Sequence, residues 1–258
     1  MNETLHLLLL ALLGSVIALF GGVVFLFNRN LSNILEKYSV PFAAGVLVTV
    51  SLLGLIPESE HEIGEISHWI VLASFLGVYL FEHLFFGIHH HGSEDEHHRE
   101  IKESSIGLVI FGDTIHNFID GVAIGASFMI NPNLGFITAL STFLHEVPHE
   151  IGDFGILLKA GWKRTKILTI NIISSLTTIA GAFLVYAFNQ SDTLNGSLMA
   201  VSAGVFLYLG ASDFLPKITT SFQGNDKDQK LHRLKSILPL FLGSLIIILT
   251  LLLIPHEH

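Results

Sequence analysis

The sequence contains no cysteine. That excludes a disulfide framework and any thiolate metal site, so imidazole, carboxylate or amide groups would have to hold a metal. Charge is scarce as well. Asp, Glu, Lys and Arg make up 14% of the 258 residues, against roughly 25% in an average soluble domain. The scarcer sign is positive, with 13 Lys and Arg against 22 Asp and Glu and a formal net charge of −9. This balance argues against nucleic acid as a partner and suits a surface that handles cations. There is also no GxxxxGK[ST] stretch, so no phosphate-cradling loop for ATP is expected.

What the chain has in abundance is apolar residues, at 50%. They come in blocks, and about 20 helical residues cross a hydrocarbon core roughly 30 Å thick. Eight spans are expected, near 4–27, 39–57, 68–88, 105–130, 134–159, 166–188, 196–216 and 236–254. The first lacks a basic leader and is longer than the apolar part of a signal peptide, so it reads as a retained span. The expected fold is all-α: a polytopic membrane protein, residues 1–258 forming a single eight-span domain. A short chain without a signal peptide or extracellular domain points to a plasma membrane, that of a bacterium (its inner membrane).

The basic residues test this topology. They fall in or beside alternate loops: Arg29 and Lys37; Arg99 and Lys102; Lys159, Lys163, Arg164 and Lys166; then Lys217, Lys227, Lys230, Arg233 and Lys235. Basic loops stay on the cytoplasmic side, so both termini are expected outside. The outer segments are acidic, most clearly Glu58-Ser59-Glu60-His61-Glu62 with Glu65 and His68. They read as a solvated loop or as a vestibule that concentrates cations. The loop at 89–104 lies on the inner side and is His-rich, running from His89-His90-His91 through Glu94-Asp95-Glu96 to His97-His98. It reads as a weak metal-binding tract or as a polar linker.

Two spans carry polar residues that a bilayer does not tolerate without reason. The fourth holds Asp113, His116, Asn117 and Asp120; the fifth holds His145, Glu146, His149, Glu150 and Asp153. Ionisable residues in a span cost about 2.5–3.5 kcal/mol each on insertion scales and mark a pathway or site by default. His116 and Asp120 are four residues apart, as are His145 and His149, and Glu146 and Glu150, so each pair shares a helix face. Asn131-Pro132-Asn133 is a turn signal between the two helices. In a hairpin about that turn, His116 lies level with His149 and Asp120 with His145. Together they form an N/O donor set typical of Zn²⁺ and tolerable to Fe²⁺, Mn²⁺ or Cd²⁺. Asn117 and Glu146 come next around each helix and, sharing Asp120 or His149, build a second adjoining site. Pro148 removes one backbone donor inside the fifth helix and favours a kink.

His145-Glu146-Val147-Pro148-His149 also matches H-E-x-x-H, the zinc metalloprotease signature with Glu as general base. An intramembrane zinc metalloprotease is therefore an alternative. Against it stand the proline within the motif and the crowding of a site that needs an open position for water. A membrane metal sensor using the His-rich loop is a third reading, but no signalling domain is attached.

These motifs resemble the ZIP (Zrt/Irt-like protein) family of metal transporters, and most closely the subfamily with HExPHE. The resemblance rests on Gly112-Asp113, on His116-Asn117-Phe118-Ile119-Asp120-Gly121 and on HEVPHEIGDF at 145–154. Ser202-Ala203-Gly204-Val205-Phe206-Leu207-Tyr208 with Asp213 and Pro216 adds to it. It implies a non-enzymatic importer, usually a homodimer, that moves Zn²⁺ toward the cytoplasm with an elevator-like shift of the metal-bearing helices. It also implies a binuclear centre: His116, Asp120, His145 and His149 in one site, Asn117, Asp120, Glu146 and His149 in the other. Asn171 in the sixth span resembles a polar position that contributes there. His145 stands where broader-range members carry Glu, and this leans the cargo toward Zn²⁺. Departures are Leu55-Ile56 before Pro57-Glu58, where the family often has a His, and Lys217 after Pro216 in place of a common Glu.

Overall fold

A computed structural model describes residues 2–27, 29–85, 103–188, 191–216 and 229–255. The His-rich tract at 89–98, with Arg99, Lys102, Lys217 and Lys227, lies outside the described residues. Among those residues the chain is helical and contains no strand. The helices are α1 (Glu3–Leu13), α2 (Leu19–Phe27), α3 (Arg29–Val50), α4 (Ile56–Ile63), α5 (Ile66–Phe85), α6 (Glu103–Ile130), α7 (Pro132–Lys159), α8 (Arg164–Phe188), α9 (Asp192–Tyr208) and α10 (Gln229–Leu253). Among the described residues, five stretches are long and apolar enough to cross a membrane: Tyr38–Ile63, Ile66–Leu84, Ile106–Ile130, Arg164–Phe188 and Asp192–Phe214.

The distribution of polarity is turned inside out relative to a soluble protein. On α5, Ile66, Trp69, Leu72, Leu76, Leu80 and Leu84 are exposed, and Phe241, Leu245, Leu249 and Leu252 are exposed on α10. Asp113, His116, Asn117, Asp120, His145, Glu146, Glu150 and Asn171 are buried. Hydrocarbon accepts the first group and the protein interior shields the second. The chain is a multi-pass membrane protein.

Three departures from regular α-helix follow from local chemistry. The first expected span is two helices, because Ile17 N–H bonds Leu12 O and Gly14 lies against Ile124 and Thr142 of α6 and α7. The other two are π-helical segments, Ser51–Leu55 between α3 and α4 and Leu209–Phe214 after α9. Each closes just before a proline, Pro57 and Pro216. Proline lacks the N–H and its ring collides with the carbonyl four residues back. Widening the helix by one residue carries the chain past that conflict.

Glycines set the closest helix pairs. A Cβ on Gly121 would strike the Thr178 carbonyl, and one on Gly181 would strike that of Phe118, so α6 and α8 meet backbone to backbone. Gly45 and Gly243 do the same for α3 and α10, against the carbonyls of Leu240 and Phe42. Small residues substitute close van der Waals packing for the hydrophobic drive that lipid removes.

Candidate metal centre

A one-residue turn positions the site. Asn131 has extended backbone at φ −148°, its side chain accepts from Asn133 N–H at 2.8 Å, and Pro132 takes the first helical position of α7. This is the N-cap and N1 chemistry that starts a helix abruptly. The antiparallel pair is pinned nearby by Thr138 Oγ1 donating to Ser127 Oγ at 3.0 Å. The same register places Asp120 Oδ2 3.2 Å from His145 Nε2. His116 and His149 stack, with ring centroids 4.5 Å apart and planes 26° from parallel.

Four side chains converge in one buried cluster. Single donor atoms from His116, Asp120, His145 and Glu146 all lie within 4.8 Å of one another. His116 Nε2 is 2.9 Å from Glu146 Oε1 and 3.7 Å from Asp120 Oδ2, and His145 Nε2 is 3.9 Å from Glu146 Oε1. His145 Nδ1 lies 2.9 Å from the Ser141 carbonyl, which can only accept. The proton is therefore on Nδ1, and Nε2 turns its lone pair into the cluster. Such outer hydrogen bonds fix the tautomer of a ligating histidine. His145 is further held by the edge of Phe206 on α9, at 5.3 Å between centroids.

The donor set fits a divalent cation by its own unmet valence. His116 Nε2, both Asp120 oxygens, His145 Nε2 and Glu146 Oε1 are buried, and apart from the 2.9 Å approach of His116 to Glu146 none of them has a hydrogen-bond partner. Buried polar atoms are almost always hydrogen-bonded, so several orphans facing one point call for a shared positive partner. Two imidazoles and two carboxylates match the N/O chemistry of Zn²⁺.

The remaining expected residues sit around this cluster. His149 adjoins the cluster through its stack on His116, while its Nδ1 is 3.8 Å from Asp113 Oδ1 and 3.8 Å from Asp153 Oδ2. Asn117 is fully buried; its Nδ2 donates to Asp113 Oδ1 at 2.9 Å, and its Oδ1 accepts from Thr178 Oγ1 at 3.0 Å. Asn171 is buried on α8 and donates to the Ile167 carbonyl at 2.8 Å. Asp113 and Asp153 are absent from the expected donor sets. Each lies four residues from an expected one, Asn117 and His149, and nearly equidistant from the turn, so the same register argument could have found them.

The divergence of the two histidines also bears on H-E-x-x-H. That motif needs both imidazoles on one ion, whereas His145 and His149 turn toward different carboxylates. The protease reading has no support.

Comparison with known proteins gives a family model described as ZIP Zinc transporter, matching residues 105–251. Among curated relatives, "Zinc transporter foi" of Drosophila melanogaster is 42% identical over 114 residues, 44% of this chain and 16% of that protein. "Zinc transporter ZIP4" of Homo sapiens is 41% identical over 109 residues, 42% of this chain and 17% of the relative. "Zinc transporter ZIP10" of Danio rerio is 39% identical over 137 residues, 51% of this chain and 16% of the relative. The matched stretch is thus a small part of each relative's length.

Proposed function

The chain belongs to the ZIP zinc transporter family, and from that premise we propose that it carries divalent metal, chiefly Zn²⁺, across a membrane into the cytoplasm. The observation that carries this reading is the buried cluster of His116, Asp120, His145 and Glu146. Two carboxylates neutralise the charge of one divalent ion, and four donors replace its water. A neutral, fully ligated ion is far cheaper to hold at membrane depth than a bare one. Cd²⁺, Fe²⁺ and Mn²⁺ fit the same donors. Asn117, His149 and Asn171 adjoin the ion and orient or extend its donor set.

The remaining features are read around that centre. Eight spans with both termini outside follow from the alternation of basic loops, and HEVPHE groups the chain with HExPHE members. Residues 58–68 would then face the side from which metal enters, with His68 Nε2 3.8 Å from Glu60 Oε2 in that acidic stretch. A plasma membrane, bacterial and inner, suits the chain. The family resemblance supports a homodimer, which mass measurement in nanodiscs would test.

The deciding experiment is uptake of Zn²⁺, Cd²⁺, Mn²⁺ and Fe²⁺ into proteoliposomes holding the purified chain. Saturable uptake, fastest for Zn²⁺ and abolished by Asp120→Ala, is expected. Uptake no greater than in empty liposomes, or unchanged by Asp120→Ala, would overturn the reading.

A further inference from the structure

The turn from α7 to α8 gathers four cations, Lys159, Lys163, Arg164 and Lys166, and all four are exposed. The sequence has no Asp or Glu between Asp153 and Asp192. Among the described residues none of the four pairs with a carboxylate. Two of them lie against aromatic rings instead: Lys166 Nζ is 3.4 Å from the centroid of Trp162, and Arg164 Cζ is 5.5 Å from that of Phe27. We propose that this corner binds the headgroup of an anionic phospholipid, in the leaflet on the basic side of the protein. Binding of this kind requires only that the chain spans a membrane, and it is independent of what the chain transports.

Three features distinguish the corner from an ordinary stretch of basic loop. The first is a fixed turn. Gly161 has φ +79°, its N–H donates to the Leu158 carbonyl at 2.9 Å, and the Trp162 N–H donates to the Leu157 carbonyl at 3.1 Å. These are the paired bonds of a Schellman ending, which set the direction in which the chain leaves α7. The second is an anchored ring. Trp162 is half-buried and packs on a core that includes Leu26 of α2, Ile106 of α6, Leu157 of α7 and Ile167 of α8. Lys166 is thus held over a ring seated where four helices end, and a cation in that position is attracted by the ring face. The third is level. Phe27, at the end of α2, is 63% exposed, so it meets hydrocarbon and sets the Arg164 guanidinium at the border of lipid and water. Tryptophan and the stems of basic side chains favour that border.

A phosphodiester headgroup matches these groups. Arg offers a planar fork of donors to phosphate oxygens and Lys a compact charge, and an ammonium resting on a ring face keeps N–H donors for an anion. Phe27 adds an apolar contact beside the charges that an acyl chain can use and a soluble anion cannot. A Lys or Arg near an anionic leaflet is worth roughly fivefold in association, so Lys163, Arg164 and Lys166 acting together give a marked preference over a neutral lipid. Because α7 carries the metal donors and ends at Lys159, a lipid bound here holds the end of the metal-bearing helix at the membrane surface.

The chain has 2 tryptophans, and they report on different places: Trp162 on the corner, and Trp69 on an exposed position of α5 beside the acidic stretch that ends at Glu65. The full-length chain carrying Trp69→Phe is reconstituted into phosphatidylcholine bilayers. These contain brominated phosphatidylglycerol or brominated phosphatidylcholine at the same mole fraction. Quenching of Trp162 fluorescence then compares the two lipids at the corner. Brominated phosphatidylglycerol should be preferred by about tenfold or more, and Arg164→Gln and Lys166→Gln should each lower that preference roughly fivefold. In the Trp162→Phe chain, where Trp69 reports, the preference should stay below about twofold, since no Lys or Arg lies near that position to attract the anion. Inorganic phosphate at constant ionic strength should leave the preference at Trp162 unchanged. Equal quenching of Trp162 by the two lipids overturns the proposal, and this comparison needs no charge variant, so it decides even where such a variant fails to insert. An equal preference at Trp69 also overturns it, because anionic lipid would then gather around the whole protein. A preference that survives Arg164→Gln combined with Lys166→Gln removes these cations as its cause, and one abolished by inorganic phosphate makes the corner a site for a free anion; either result overturns the lipid assignment.

Discussion

Replacing Asp120 by Asn keeps the shape of the side chain and removes its charge. The wild-type carboxylate is fully buried, with Oδ2 3.2 Å from His145 Nε2 and 3.7 Å from His116 Nε2, and neither oxygen has a hydrogen-bond partner. An outer partner of a metal ligand is worth about 10–100-fold in affinity. A direct donor that neutralises half the ion's charge should be worth at least the upper figure, about 100-fold. At a zinc concentration about 100 times the wild-type Kd, binding stabilises the native wild type by about 2.7 kcal/mol. A variant that binds about 100-fold more weakly gains about 0.4 kcal/mol at the same concentration. At roughly 2–4 °C per kcal/mol for a chain of this size, the zinc-induced rise in Tm should shrink by about 5 °C or more. Without zinc, Asp120→Asn should melt no lower than wild type, because an unpaired buried charge has been removed. Differential scanning fluorimetry in detergent, with and without zinc, measures both quantities. A zinc-induced shift in Asp120→Asn within a factor of about two of wild type would refute the assignment of Asp120 as a donor.

The other expected outcomes follow from packing and hydrogen bonding. Gly121→Ala places a Cβ on the Thr178 carbonyl, which is backbone and cannot yield; a loss of about 1–3 kcal/mol or failure to fold is expected from overpacking, read as a lower Tm or lost monodisperse yield. Gly152→Ala is the contrasting case: a Cβ there meets nothing within 4 Å, so helix propensity should raise stability by roughly 0.5–1 kcal/mol, and a fall in Tm would contradict the packing described. Thr178→Val removes the donor to Asn117 Oδ1 at nearly constant volume. It should cost about 1–3 kcal/mol through an unsatisfied buried amide and lower the uptake rate, which proteoliposome assays would detect. Tyr208→Phe removes the hydroxyl that donates to Glu82 across α9 and α5; a similar cost of about 1–3 kcal/mol is expected, visible as a fall in Tm.

How much of this was legible in the chain depended on whether the cause was local. Blocks of apolar residues announce membrane helices because a bilayer demands length and hydrophobicity and little else. The turn at Asn131-Pro132-Asn133 was readable from cap chemistry, and with it the register that sets Asp120 against His145. The break across Gly14–Ala18 was not readable, since it answers to Ile124 and Thr142, more than 100 positions away. The π-helical segments left only a faint trace, a proline just beyond each, and most prolines in helices have no such segment before them. Asp113 and Asp153 were visible as misplaced charges, yet nothing local said that His149 would turn to them.

The two polar stretches that mark this protein were thus legible in the sequence in identity and in relative level along the hairpin. Helical periodicity and a short turn determine which residues share a level, and the cost of charge in lipid says that they have a purpose. What only the tertiary structure decided is the rotation of each helix about its own axis. The backbone contact of Gly121 and Gly181 between α6 and α8 and the stacking of His116 on His149 set it. That rotation brings Glu146 to His116 and turns His149 toward Asp113 and Asp153. Level along a helix is a one-dimensional property that spacing encodes, whereas facing depends on every neighbour packed around it.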